Sequence, residues 1–273
     1  MVQMEKLQSA LENARARREV GPGKSRQFAG IQRTPRADKT AERWAALPQF
    51  EPSQEVLAKR RLLASTASTA STPFDILRTK ILLQMKQNNW KRLAITSPMP
   101  ESGKTTMSCN LALGLARQRD MRSMLFDFDL RDPRIHEFFE HWPSYSIGDV
   151  LEGQVEFSDQ ALRIGDNLSV SMSKQKISDP SRTLLSEDSI ARLDYIQRDY
   201  NPDIMIFDLP SVLAGDDARA FLKNVDCALI VVRAGKTRYN QFDRCEREVA
   251  EQTNVIGTVV NACRHSGAVP EMD

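Results

Sequence analysis

The stretch Ser97-Pro98-Met99-Pro100-Glu101-Ser102-Gly103-Lys104-Thr105-Thr106 restricts the fold of this chain more than any other feature. It follows a short apolar run at 92–96 and precedes a helical pattern at 104–117. A strand, a tight loop and a helix opening on Gly-Lys-Thr match the phosphate-binding pattern G-x-x-x-x-G-K-S/T, with Pro98 in place of the first glycine. The chemistry sets the residue types. Backbone N–H groups must face phosphate oxygens, and the helix amino end adds a favourable partial charge. Gly103 permits close approach of the backbone, Lys104 offsets the β and γ phosphate charge, and the Thr105 hydroxyl is suited to Mg²⁺. Pro100, Glu101, Ser102 and Thr106 complete the candidate ATP-binding set. Pro98 fixes the entry of the loop but donates no N–H. By itself Gly-Lys-Thr is a weak signal, since a Ser/Pro turn can precede it by chance.

Two strand ends strengthen it. Met124-Leu125-Phe126-Asp127-Phe128-Asp129 ends an apolar strand with carboxylates one residue apart, and strand periodicity sets both on one face. Near Lys104 and Mg²⁺, one can accept a proton or orient an attacking group while the other supports the metal shell. Ile204-Met205-Ile206-Phe207-Asp208 is a second apolar strand ending in a carboxylate, the pattern that holds Mg²⁺ in P-loop proteins. The candidate catalytic residues are therefore Lys104, Asp127 and Asp129, and the candidate metal ligands Thr105, Asp127 and Asp208. Arg131, Arg134 and Arg182 are available to phosphate or to an acidic partner, with solvated surface positions as the default. His136 and His141 read as surface residues.

Around these motifs, apolar strands at 92–96, 123–128, 168–172, 204–208, 228–233 and 255–261 alternate with helical patterns at 104–117, 133–139, 184–199, 217–223 and 239–252. Such alternation predicts an α/β fold with a doubly wound, mainly parallel sheet, and ligands at the carboxyl ends of the strands. Residues 1–20 carry Met4, Leu7, Leu11 and Ala14 at helical spacing and read as an amphipathic helix. Residues 21–72 read as flexible linker, with scattered Pro and Gly and an Ala-Ser-Thr repeat at 64–72. The nucleotide-binding domain is expected at 73–265, opening on a helix with Pro73 in its first turn, and a tail at 266–273.

Composition excludes several alternatives. Lys and Arg total 38 against 36 Asp and Glu, and a net charge of +2 argues against a nucleic-acid binder. The four cysteines form no C-x-x-C pair, so zinc and iron–sulfur spacings are absent. No apolar run approaches membrane-span length and nothing resembles a signal peptide, so a reducing cytoplasm is the expected compartment.

These residues resemble the bacterial tyrosine kinases of polysaccharide export, the CpsD/CapB type, within the MinD/ParA-like P-loop class. The resemblance runs from about Phe74 to Asn261. It rests on Leu77-Arg78-Thr79, the loop itself, Asn110-Leu111-Ala112, Asp127-Phe128-Asp129-Leu130-Arg131-Asp132-Pro133, Asp208-Leu209-Pro210, Asp216-Asp217-Ala218 and the strand from Asp226 to Arg233. It implies a P-loop domain that binds ATP and Mg²⁺, with Asn261 at a position that often contacts adenine. It also implies control of exopolysaccharide synthesis through a separate inner-membrane co-polymerase, or chain-length regulator, that activates the kinase from the membrane. Met99 stands where septum-site and partition ATPases carry an extra lysine, which favours the kinase branch. The pattern changes at three places. The tyrosines are Tyr145, Tyr195, Tyr200 and Tyr239, with none at 240–273 where the family carries a tyrosine cluster. Thr72 and Asp75 replace the glutamate and first arginine of an oligomer-forming helix, leaving Arg78; a homo-oligomer stays open. Ser211 replaces a second proline after Asp208.

Two functions follow. One is an ATP-dependent protein-tyrosine kinase. The alternative is a non-kinase ATPase switch that controls the co-polymerase by ATP-dependent binding, with a DNA-partition role a distant third.

Overall fold

The computed structural model describes residues 35–263, so the helix expected at 1–20 and the tail at 266–273 lie outside the described residues. Its strands are β1 (Arg92–Thr96), β2 (Ser123–Asp127), β3 (Leu162–Ile164), β4 (Leu168–Ser171), β5 (Ile204–Asp208), β6 (Cys227–Arg233) and β7 (Asn254–Asn261). They form a seven-stranded sheet in the order β3-β4-β2-β5-β1-β6-β7. All pairs are parallel except β3 with β4, a short antiparallel edge that sequence reasoning missed. The helices are α1 (Pro35–Ala46), α2 (Gln54–Lys59), α3 (Thr72–Asn88), α4 (Lys104–Ala116), α5 (Ile135–Phe139), α6 (Ile147–Leu151), α7 (Phe157–Gln160), α8 (Pro180–Leu185), α9 (Glu187–Tyr200), α10 (Asp217–Leu222) and α11 (Tyr239–Ala250).

The central strands read as unbroken apolar runs because both faces of the sheet are covered. Side chains alternate between two cores. Ala94, Met124, Phe126, Met205, Phe207 and Ile230 belong to one. Leu93, Ile95, Leu125, Ile204, Ile206 and Leu229 belong to the other, which they share with Ile81 and Met85 of α3 and Leu111 and Leu115 of α4. In the first core Phe126 stacks on Phe207 with centroids 5.1 Å apart, and Phe221 packs on Phe207 at 5.0 Å. That aromatic packing fixes the spacing of β2 and β5, whose last residues, Asp127 and Asp208, are partners in register.

The linker expected at 21–72 requires correction from residue 36 onward, where the chain belongs to the same compact unit as the sheet. Trp44 is 2% exposed; its Nε1–H donates to the Tyr200 carbonyl at 2.7 Å and its ring meets the Tyr200 ring edge-on. Leu47, Leu57 and Leu62 are buried as well. The segment around Gln49 pairs with Arg163 of β3, through Phe50 N–H to the Arg163 carbonyl and Arg163 N–H to the Pro48 carbonyl, each at 2.8 Å. An otherwise open sheet edge is thereby covered. The Ala-Ser-Thr repeat forms two 3₁₀ turns, with Ser68 and Ser71 in a reciprocal capping box. Asn110 of α4 holds it: its Oδ1 accepts from Ala64 N–H and its Nδ2 donates to the Arg61 carbonyl, both at 3.0 Å. Low complexity misled because small side chains are what close packing against α4 requires. Ala64 Cβ lies only 3.7 Å from where a Gly114 Cβ would stand.

Elsewhere the expected helix at 184–199 divides into α8 and α9 at Ser186, whose backbone is extended. The short helices α6 and α7 had no sequence signal long enough to show a period.

Candidate active site

The carboxyl ends of β1, β2 and β5 converge on the loop between β1 and α4. Gly103 sits at φ +90°, and a Cβ there would come within 2.2 Å of Asn261 Nδ2, so glycine is obligatory for both conformation and space. Glu101 is also left-handed, at φ +62°. Donors from within the loop and from β6 and β7 hold its carbonyls. Ser97 Oγ and Ser102 Oγ each donate to the Met99 carbonyl at 2.8 Å. Arg233 Nη1 donates to the Glu101 carbonyl at 2.8 Å, and Asn261 Nδ2 to the Ser102 carbonyl at 2.9 Å. Among the described residues the amides of Glu101, Ser102 and Gly103 donate no hydrogen bond. The amino end of α4 presents further unpaired amides, as every helix start does. The loop is a cradle of donors whose acceptors have been tied back.

Below it lies a cleft of about 460 Å³, lined by Pro100, Glu101, Gly103, Lys104, Thr105, Thr106, Asp129, Arg131, Arg134 and Ser211 among others. Lys104 is buried and its Nζ donates to Ser211 Oγ at 3.3 Å. Thr105 Oγ1 donates to Asp208 Oδ2 at 2.7 Å, and Ser108 Oγ to Asp208 Oδ1 at 2.9 Å. Asp208 is thus locked from two successive turns of α4. Asp127 is fully buried; its Oδ2 accepts from Ile135 N–H at 2.9 Å while its Oδ1 has no partner among the described residues. β2 ends at Asp127, one residue short of the expected strand, and the chain then turns so that Asp129 reaches the cleft wall.

Three carboxylates with one buried ammonium make an unbalanced site. Burial, and then the neighbouring Asp208 charge, push the Asp127 carboxyl well above the usual range. Burial also raises Asp208, with Lys104 and the Thr105 and Ser108 hydroxyls acting against it. Asp129 is pushed up to about 6 by burial, with Lys104 opposing and Asp208 adding to the rise. No cluster of three or more His, Cys, Asp or Glu side chains among the described residues is placed to hold a metal alone. The unpartnered Asp127 oxygen, the locked Asp208, the Thr105 hydroxyl and the empty-handed amides fit a divalent cation that arrives with phosphate oxygens. They fit neither ligand without the other.

Of the residues singled out from sequence, Pro100, Glu101, Gly103, Lys104, Thr105, Thr106 and Asp129 line the cleft. Ser102, Asp127, Asp208 and Asn261 stand behind it, and Asn261 spends its amide on the loop carbonyl. Arg131 forms a two-pronged pair with Asp217, at 2.8 and 3.0 Å, with Ser181 completing it. Arg134 pairs with Asp132, and Arg182 is exposed on α8. His136 and His141 are outside the cleft lining, the latter against the Phe50 ring. Cys109, Cys227 and Cys245 are buried thiols and Cys263 is exposed, none of them bridged. Sequence reasoning missed Ser97, Ser108 and Arg233. Ser108 carried a signal, because a hydroxyl four residues after Lys104 shares its helix face.

No family model matches the chain. It is 29% identical over 208 residues to the tyrosine-protein kinase YwqD of Bacillus subtilis (strain 168), covering 74% of this chain and 86% of that protein. The kinase domain of the Escherichia coli tyrosine kinase ETK superposes with a TM-score of 0.66 at 26% identity, covering 74% of this chain and 79% of that one. In sequence and in fold the chain is similar to bacterial tyrosine-protein kinases. A protein of Klebsiella pneumoniae, named for a tyrosine-protein kinase in the cps region, is 26% identical over 237 residues, covering 80% of this chain and 32% of that protein. The chain therefore spans most of one relative and about a third of another. The mainly parallel sheet expected from the motifs is present, and the chain shares its fold with that kinase domain.

Proposed function

We propose that this chain is an ATP- and Mg²⁺-dependent protein-tyrosine kinase that regulates capsular or exopolysaccharide synthesis and export. One observation carries the reading: Thr105 is bonded to Asp208, and Lys104 to Ser211, at the carboxyl ends of β1 and β5, while Asp129 lines the same cleft as Lys104 and Thr105. Bound Mg·ATP supplies a transferable phosphoryl group and the divalent charge that neutralises it.

The chain's own residues do the rest. Loop amides and the amino end of α4 orient the phosphates, and Lys104 offsets charge that grows during transfer. Thr105, Asp208 and Asp127 would hold the divalent cation, which would supply the positive charge that these carboxylates lack. Asp129 takes the proton from the incoming tyrosine hydroxyl. Its Oδ1 accepts from Asp132 N–H at 3.3 Å, leaving Oδ2 for the proton. A carboxyl raised to about 6 is ionised at neutral pH yet more basic than an ordinary aspartate, which suits a general base. The chain's own acceptor candidates are Tyr145, Tyr195 and Tyr239, whose side chains are exposed; Tyr200 is buried.

No helix among the described residues is long and apolar enough to cross a membrane. The reading includes a separate inner-membrane co-polymerase as activator, with the chain peripheral to that membrane on its cytoplasmic side. The test is incubation with Mg·ATP and a tyrosine-containing polymer, followed by mass-spectrometric mapping of phosphotyrosine. The wild type should label tyrosine and Lys104→Met should not. ATP hydrolysis by the wild type with no phosphotyrosine, even with the co-polymerase's cytoplasmic segment added, would replace the kinase by a switch.

A further inference from the structure

The Lys104 ammonium is buried and, among the described residues, has one hydrogen-bond acceptor, Ser211 Oγ at 3.3 Å. Ser211 Oγ lies 3.0 Å from Ser97 Oγ, and the direction of that bond can be assigned. Ser97 spends its only proton on the Met99 carbonyl at 2.8 Å, so Ser211 must be the donor in the pair. The chain of bonds runs Lys104 to Ser211 to Ser97 to the Met99 carbonyl. Ser211 therefore accepts from the ammonium and holds one proton that it can turn elsewhere.

Its position is fixed by backbone bonds on either side. Thr96 Oγ1 donates to the Pro210 carbonyl at 2.7 Å, and Val212 N–H to the Ser97 carbonyl at 2.9 Å. Ser211 also lines the cleft that Lys104 and Asp129 border. Any anion that takes the Lys104 ammonium from Ser211 thus arrives beside a hydroxyl whose proton can rotate from Ser97 to meet it.

We propose that Ser211 is a specificity-determining residue for the terminal phosphate: it occupies the Lys104 ammonium in the empty site and, once displaced, turns its proton onto the phosphate that displaced it. This rests on the nucleotide-binding part of the function proposed above. A diphosphate, lacking the outermost phosphate, leaves the hydroxyl with Ser97. A proline at this position supplies neither the acceptor nor the donor. Ser211 acts as a reader of phosphate number, and the reaction's proton and phosphoryl group do not pass through it.

Calorimetric titration of the full chain with Mg·ATP and with Mg·ADP tests this, using wild type, Ser211→Ala, Ser211→Thr and Ser97→Ala, each checked for folding by circular dichroism. Ser211→Ala should lower the ratio of ATP to ADP affinity by at least about tenfold, the loss of one hydrogen bond to a charged group. Ser211→Thr should keep the ratio, since the hydroxyl survives. Ser97→Ala, which also loses the tie to the Met99 carbonyl, should weaken both nucleotides together and leave the ratio, because the Ser211 donor remains. An unchanged ratio in Ser211→Ala, with wild type binding Mg·ATP, overturns the inference and spares the kinase reading. Equal losses in Ser211→Ala and Ser211→Thr overturn it too, by assigning the effect to packing. Wild type that binds no nucleotide overturns both. Normal discrimination without phosphotyrosine formation overturns the kinase reading alone.

Discussion

At the scale of single residues, the site depends on positions whose alternatives are excluded by space or by charge. Gly103→Ala combines a left-handed backbone with a contact no Cβ tolerates. We expect a loss of roughly 1–3 kcal/mol in stability from the strain and a collapse of nucleotide binding, measured by thermal melts and calorimetry on the same preparation. Asp129 makes a pH prediction. Its carboxyl sits at about 6 in the folded protein against an ordinary 3.8, so between those values the native state holds more proton than the unfolded chain. The stability of nucleotide-free protein is therefore helped at low pH and declines as pH rises through this window. Asp129→Asn should flatten that decline and melt higher than wild type above pH 6, although it removes the proposed base. A steeper decline in the variant would contradict the assignment.

Elements carry the second level of argument. The strap from α1 to the second 3₁₀ turn supports the sheet edge and the back of α4. Trp44→Ala should cost about 3–5 kcal/mol, as large-to-small changes in a packed core do, and urea titration reads it directly. A change under 1 kcal/mol would return residues 36–72 to the status of linker. Arg233 offers a contrast. It ends β6 and holds the Glu101 carbonyl, so Arg233→Ala should weaken Mg·ATP binding severalfold with little change in melting temperature; calorimetry beside thermal melts distinguishes these. What the sequence made legible follows from period and length. β1, β2 and β5 were readable because buried parallel strands are apolar without interruption, and α4 because it opens on Gly-Lys-Thr. β3 pairs over three residues only, too few to show alternation. The strap was misread because its Pro, Gly and Ala-Ser-Thr content outweighed a short helical spacing, Thr40, Trp44 and Leu47, that the structure buries. Asp127, Asp129 and Asp208 were found from strand ends, but their unequal exposure follows from where β2 stops, and no residue pattern announces that. Ser211 was visible only as a departure from a motif, and its partner Ser97 not at all.

For the whole molecule, ligand and charge are coupled. The site buries three carboxylates around one lysine, and the raised carboxyls of Asp127, Asp129 and Asp208 show that the empty protein bears this imbalance. Mg·ATP should raise the melting temperature more at pH 7.5 than at pH 5, because the carboxylates it balances are charged at the higher pH. ATP supplied with EDTA should give much less of that gain. A pH-independent shift would mean that the cation is not held by these groups.

The strand order has a consequence for the birth of the protein. Its phosphate cradle is propped by Arg233 and Asn261, which belong to the last two strands to be synthesised, while the cradle itself lies on the first. A nascent chain that has finished Lys104 and even Asp208 still lacks the side chains that turn the loop carbonyls aside. On the proposed reading, a half-made chain would hold nucleotide more weakly than the finished one.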